Sequence, residues 1–170
     1  IQQHSNLTYR LFDYDRTDST GKKRPLHINK ALDVLAYNNH KALFQGISVS
    51  CEKARTKYLA ISEYFCVQLI ESKGMPIEMT TDGSFSAFMF LNGEAEIISN
   101  IERVHVRALE TVFIPAYLGS YKLDGKFSAL YIFIPNSVTS EYTSLIEEGF
   151  TDEEIINSIA GAESLYASLK

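Results

Sequence analysis

The sequence is poor in the residues that make metal and redox sites. It has two cysteines, Cys51 and Cys66, and four histidines, His4, His27, His40 and His105. None falls into a C-x-x-C, H-x-H or H-E-x-x-H pattern, so no common zinc or thiol-redox motif can be read from it. Thiols without a framework of pairs fit buried, reduced cysteines in a cytoplasmic protein, with a Cys51–Cys66 disulfide as the alternative. A basic excess is also missing, since the net charge is -5. That argues against a nucleic-acid partner, because neutralising phosphates takes a concentrated cationic surface. No run approaches the roughly 18 apolar residues of a membrane helix, and no basic-then-apolar leader opens the chain. The expected setting is therefore cytoplasmic, with no membrane partner.

What is present is ordinary for a folded chain: 170 residues, 45% hydrophobic and 22% charged. This suits one domain with a real core, or one compact domain with a short appendage.

The stretch Thr8-Tyr9-Arg10-Leu11-Phe12-Asp13-Tyr14-Asp15-Arg16 stands apart. Read as a β-strand, it puts Thr8, Arg10, Phe12, Tyr14 and Arg16 on one face and Tyr9, Leu11, Asp13 and Asp15 on the other. Both faces mix aromatic and charged groups, which is the make-up of a site wall. An edge strand whose arginines pair with Asp13 and Asp15 across a turn is the other reading. The polar, Gly- and Pro-containing segment Thr17–Pro25 reads as a loop. With Arg16 it gathers Lys22, Lys23 and Arg24, either for a phosphate or as a solvated hairpin tip. From about Asn29 to Leu35 the spacing of Ile28, Ala31, Leu32 and Leu35 predicts a short amphipathic helix.

Onward to about residue 134, short runs rich in β-branched and aromatic residues predict strands at 44–50, 63–70, 77–80, 85–91, 95–98, 104–108, 111–114 and 127–134. Asp82-Gly83, Asn92-Gly93, Ser99-Asn100 and Asp124-Gly125 read as hairpin turns between them, at the spacing of a jelly roll or barrel. From Ser137 the character changes. Helices are expected over 137–148 and 151–169, with Gly149 as a stop and Thr151-x-x-Glu154 as a capping box. Ile155, Ile159, Ala162, Tyr166 and Leu169 form one apolar face. It would pack back on its own domain, make a dimer contact or dock on another domain.

Ile1-Gln2-Gln3, Asn6 and Thr8 to Arg16, followed by Arg24-Pro25-Leu26-His27-Ile28 and Lys30-Ala31-Leu32-Asp33-Val34, resemble the type I mannose-6-phosphate isomerases of Firmicutes. In that family an IQQ-S-x-x-TYR-x-YDYDR strand precedes R-x-LH-x-x-KALD. The resemblance is specific over residues 1 to about 36 and rests on pattern over about 60 to 134. Phe88 to Ile97 followed by Glu110 to Ala116 resembles the two signature hairpins of cupins, the fold on which those isomerases are built.

The resemblance implies a mainly β protein, a cupin jelly-roll barrel with a short helix near the N-terminus and a helical C-terminal tail. Residues 1–36 would hold the active-site strand, loop and short helix of the upstream isomerase core. Residues 37–135 would form a cupin-like barrel, and residues 136–170 the helical tail. Because the family carries the opening motif in the centre of its chain, this sequence is expected to be the C-terminal part of a longer enzyme. Its partners would be the missing N-terminal part, a phosphosugar substrate and a second copy in a homodimer.

Counting back from Gly93, the cupin metal-ligand positions fall on Ser86 and among Met79 to Asp82, and the later histidine position holds Ser120. In the second hairpin motif only Pro115 survives, because the glycine positions hold Leu109 and Tyr117. No metal site is expected by that scheme. The resembled enzymes use a divalent metal, generally zinc, with ligands upstream of this motif. Zinc is therefore expected for the intact enzyme only, and the fragment alone should be inactive.

The resemblance matches Arg10 to an active-site arginine, and a guanidinium offers an oxyanion or phosphate a permanent charge and a fork of donors. Tyr9, Asp13, Asp15 and Arg16 would support its pose. Gln2 and Gln3 lie in the same motif, though amides at a strand start more often satisfy backbone groups. His4 stands where the family more often has a small polar residue. The other reading of the chain is a non-catalytic cupin module that binds a sugar or a protein partner.

Overall fold

The computed structural model describes residues 7–35, 43–81, 83–137 and 139–169. Gln2, Gln3, His4, His40 and Asp82 lie outside the described residues. The chain divides into two compact units, Ile1–Ala42 and Leu43–Lys170.

In the first unit the expected strand over Thr8–Arg16 does not form. With aromatic and charged groups on both faces, the segment has no apolar stripe to register against a sheet. It runs irregularly into a tight turn in which the Arg16 N–H donates to the Asp13 carbonyl at 3.0 Å. The central residues Tyr14 and Asp15 both have positive φ, 52° and 54°, as a type I′ turn requires. A single antiparallel bridge, Thr17 to Lys23, then closes the polar loop. The Asp18 carboxylate caps that loop by accepting from the Thr20 and Lys22 backbone N–H groups. The helix α1 spans Ile28–Val34, one residue earlier than its periodicity suggests, and Ala31 is its buried residue.

Among its described residues the second unit carries eight antiparallel strands. They are β1 (Ile47–Ser50), β2 (Ala54–Ile61), β3 (Cys66–Ser72), β4 (Ile77–Thr80), β5 (Ser86–Ser99), β6 (Arg103–Arg107), β7 (Thr111–Ile114) and β8 (Ser120–Phe133). Two long strands, β5 and β8, pair along their whole length and organise the rest. The early half of β8 takes β4 as its other neighbour and the late half takes β3. On β5 the early half pairs β7 and the late half pairs β6. Each half of the central ladder thus faces a different partner, which folds the sheet into the expected jelly roll.

This corrects two of the expected turns. Asn92-Gly93 lies inside β5 and Asp124-Gly125 inside β8, where Gly93 pairs with Phe127 and Gly125 with Ala95. Both glycines serve close approach of the two backbones. A Cβ at Gly93 would lie 2.1 Å from the Lys126 carbonyl oxygen, and one at Gly125 would lie 2.4 Å from that of Glu94. Together with a bulge between Phe90 and Asn92, they let the long strands bend between the halves. Ser99-Asn100 does connect two strands, with the Ser99 N–H donating to the Glu102 carbonyl. Leu109, at a cupin glycine position, holds φ at 70° in the β6–β7 turn, so the backbone keeps glycine's conformation without glycine.

Inward-facing Phe88, Phe90, Leu123, Phe127 and Ala129 fill the core between the halves. Ring pairs such as Phe88 with Tyr131 at 4.6 Å and Phe90 with Phe127 at 5.2 Å join strands across it.

The tail forms three helices, α2 (Ser140–Glu147), α3 (Asp152–Ser158) and α4 (Ala162–Ser168). The capping box of Thr151 and Glu154 is present. The continuous helix expected over 151–169 is broken at Ile159–Gly161, where Ala160 makes a parallel bridge to Ala60. The Ile61 N–H donates to the Ala160 carbonyl at 2.9 Å, and the Ala160 N–H donates to that of Leu59 at 3.2 Å. Beyond the Ile47–Tyr58 pair β1 has ended, so the tail satisfies edge groups of β2 that would otherwise be orphaned. Ile155, Ile159 and Ala162 are fully buried as expected. The break shifts the helical phase, so Leu165 joins them while Leu169 stays exposed. With Tyr142 and Leu145 they share a core with Ile47, Ile61 and Cys66. The apolar face is thus covered by its own domain.

Both cysteines are free, Cys66 buried and Cys51 exposed, which corrects the expectation that both are buried. Desolvation pushes the Cys66 thiol up to about 12, and the thiolate is the reactive form. Ellman titration of the native protein should therefore find Cys51 alone reactive, with Cys66 joining on denaturation. Two reactive thiols in the native state would contradict this burial.

Candidate functional site

Arg10 is held by its backbone before its side chain is considered. Its N–H donates to His27 Nδ1 at 3.2 Å, and its carbonyl accepts from the His27 N–H at 2.7 Å. A ring nitrogen that accepts requires the neutral tautomer with the proton on Nε2. The His27 ring meets Tyr9 edge-on, with centroids 6.4 Å apart. The Arg10 guanidinium donates from Nη1 to the Pro25 carbonyl at 3.0 Å. Its Nε lies 3.6 Å from Asp13 Oδ1.

Asp13 sits between two guanidiniums. Arg24 donates to it from Nε at 2.8 Å and also from Nη2, a bidentate pair that fixes the carboxylate plane. The hydrogen bonds from Arg24 hold the Asp13 carboxyl below its ordinary pKa, assisted by the charges of Arg24, Arg10 and Arg16. It therefore stays an anion at neutral pH. Two guanidiniums against one carboxylate leave this cluster net positive, which suits an anionic group.

The structure thus gathers Arg10, Asp13 and, through His27, Tyr9. It does not bring Asp15 into that group, and Arg16 joins it only through its backbone N–H to the Asp13 carbonyl and its charge. Asp15 pairs with Lys23, and the Arg16 guanidinium lies over the Tyr14 ring, 5.9 Å from its centroid. Arg24 was singled out from the sequence only as one of four loop cations and His27 was given no role, yet these are the residues that hold Asp13 and Arg10. Their signal was the R-x-LH spacing itself, read there as motif rather than as support.

In the second unit a cavity of about 320 Å³ lies between the inward faces of β3, β5 and β8, strand β4 and the start of α2. It includes Met79, Thr80, Thr81 and Ser86, four of the positions where cupins place metal ligands, and these residues do not fit a metal. Ser86 and Thr81 offer hydroxyls and Met79 a thioether, where a divalent ion needs imidazole, thiolate or carboxylate donors. Among the described residues no group of three or more His, Cys, Asp or Glu comes together. Gln68 Nε2 donates to Glu141 Oε2 at 3.0 Å across this cavity, and burial raises the Glu141 pKa against that bond.

Residues 54–134 match the family model described as the mannose-6-phosphate isomerase cupin domain. A mannose-6-phosphate isomerase of Streptococcus mutans is 30% identical over 73% of this chain and 39% of its own. One from Bacillus subtilis shows 30% identity over the same shares. The crystal structure of the mannose 6-phosphate isomerase from Bacillus subtilis superposes with a TM-score of 0.61 at 25% identity, covering 75% of this chain and 40% of the other. The chain therefore spans about two fifths of the length of the curated relatives it matches. In sequence and in fold it is the cupin portion of a mannose-6-phosphate isomerase that this chain is similar to, as the motif resemblance implied.

Proposed function

We propose that this chain is the C-terminal part of a mannose-6-phosphate isomerase, which interconverts mannose 6-phosphate and fructose 6-phosphate. The observation that carries the reading is the agreement of the family model over residues 54–134 with relatives that bear that name. The anchored, net-positive cluster around Arg10 supports it.

The reaction moves a proton between adjacent carbons through an enediolate, so negative charge develops on oxygen and must be stabilised. Arg10 supplies that stabilisation, or binds the phosphate. His27 and Pro25 fix its backbone and guanidinium, and Asp13, clamped by Arg24, limits its swing. Tyr9 orients His27. Asp15 and Arg16 hold the adjoining turn, and Gln2 and Gln3 belong to the same motif. The described residues offer zinc no donor set, so any zinc of the intact enzyme is assigned to the part of the protein that precedes this chain. That part is the partner this chain needs, and a homodimer in the cytoplasm is the setting expected for the whole.

A coupled assay tests the reading. The full-length protein carrying this chain should convert mannose 6-phosphate to fructose 6-phosphate, whereas the 170-residue chain alone should not. A full-length protein that leaves mannose 6-phosphate unchanged would overturn it.

A further inference from the structure

His27 and His105 answer protonation in opposite ways. His105 Nε2 lies 3.3 Å from Glu94 Oε2, so a proton on the ring adds a charge pair. At His27 a proton removes a bond. Nδ1 is already occupied as an acceptor, taking the Arg10 N–H at 3.2 Å. Protonated, it becomes a donor set against the N–H it was holding.

That bond is one half of a two-point clasp. The other half is the Arg10 carbonyl, which accepts from the His27 N–H at 2.7 Å. Neither residue belongs to a strand, so no ladder of further bonds takes over when one is lost. His27 is the fixed side of the pair, because it precedes α1 and its carbonyl accepts from the Ala31 N–H at 2.9 Å. Arg10 is the side that moves. Its guanidinium reaches the Pro25 carbonyl at 3.0 Å and lies 3.6 Å from Asp13, and both distances depend on where the clasp holds its backbone.

The groups around the ring act in the same direction. Tyr9 meets it edge-on, and the charged side chains of the cluster are Arg10, Arg24 and Asp13. On α1, Lys30 and Asp33 follow with opposite charges. A protonated His27 would put three cations beside the one Asp13 carboxylate, and their repulsion adds to the lost bond.

We propose that His27 is a positioning residue that holds Arg10 only as the neutral imidazole, so that the cluster is assembled at neutral pH and released as the pH falls through the histidine range. The effect on turnover rests on the isomerase reading, whereas the clasp itself does not.

Nitrogen-15 NMR of the labelled chain between about pH 8 and pH 5 tests the clasp. At the upper end the His27 ring should carry its proton on Nε2, and the Arg10 amide resonance should shift as Nδ1 takes up a proton. His27→Asn places Oδ1 where Nδ1 stands and is itself a favoured residue before a helix. It should keep the Arg10 amide at its neutral-pH position throughout. His27→Phe keeps a ring against Tyr9 without an acceptor and should lose that position at every pH. In the full-length enzyme the fall in kcat/KM over the same range should be about fivefold smaller for His27→Asn than for the unaltered protein, the effect of one hydrogen bond. A proton on Nδ1 at the upper end, an Arg10 amide indifferent to the ring's titration, or an equal fall in kcat/KM for His27→Asn would each overturn the proposal. A full-length protein inactive on mannose 6-phosphate at every pH overturns the isomerase reading instead, and the NMR titration then decides the clasp.

Discussion

Gly93→Ala is expected to lower the stability of the jelly roll by about 3 kcal/mol or more, toward the severe end of single substitutions. Gly93 has φ of 74°, where an L-residue costs roughly 1–2 kcal/mol. The larger cost comes from packing, since the new Cβ would sit 2.1 Å from the Lys126 carbonyl oxygen and 2.9 Å from Phe127 Cα. Those are backbone atoms of the paired strand, so relief requires β5 and β8 to separate where their bend is made. Gly125→Ala should behave similarly, with its Cβ 2.4 Å from the Glu94 carbonyl oxygen. Gly74→Ala is the control, because Gly74 has φ of 89° and nothing within 4 Å of an added Cβ, leaving backbone strain alone. Urea denaturation of the three variants checks the ranking. If Gly93→Ala and Gly74→Ala cost the same, the close crossing of the two strands is not what Gly93 serves.

Leu145→Ala should cost about 3–5 kcal/mol, the range for a buried leucine whose cavity cannot collapse. Leu145 is fully buried in the cluster that joins α2, α3 and α4 to Ile47, Ile61 and Cys66. That cluster is fixed on both sides, by the strands and by the bridge from Ala160 to Ala60. A tail laid loosely on the surface for some other partner would lose less than about 0.5 kcal/mol on the same change. Thermal or urea unfolding separates the two values. A small loss would mean that the helices are not part of the folded unit.

What was legible in the sequence is what depends on near neighbours. The strands at 77–80 and 111–114 and the Thr151 capping box follow from local patterns, and each stands where its pattern puts it. Asn92-Gly93 was ambiguous at that level, since the same dipeptide serves a type I′ turn and a close crossing of two strands. Only the pairing of Gly93 with Phe127 decides between them. Strand β2 was missed because Arg55 and Lys57 interrupt its apolar residues. Its Ala54–Ser72 and Ile61–Cys66 pairs with β3 make it a strand. The break at Ala160 has a local signal in Gly161, which holds φ at 83°, but its bonds go to groups on Leu59 and Ile61 far away in the sequence.

The same limit applies to the sites. Arg10 was visible through its motif, but the residue that fixes it, His27, acts through hydrogen bonds between non-periodic segments 17 residues apart. The loop form of Thr8–Arg16 was hidden because alternating side chains can be laid onto a strand whether or not a partner strand exists. In the cavity, Gln68 and Glu141 are separated by 73 residues, and neither is unusual where it stands in the sequence.

The turnover of mannose 6-phosphate by full-length protein carrying Arg10→Ala is the most direct measurement of the central claim. A stabilising donor to a developing oxyanion is worth ~3 kcal/mol, so the rate should fall roughly a hundredfold, while the Arg10 backbone bonds to His27 keep the loop folded. Turnover equal to that of the unaltered enzyme would contradict the placement of Arg10 in the reacting centre.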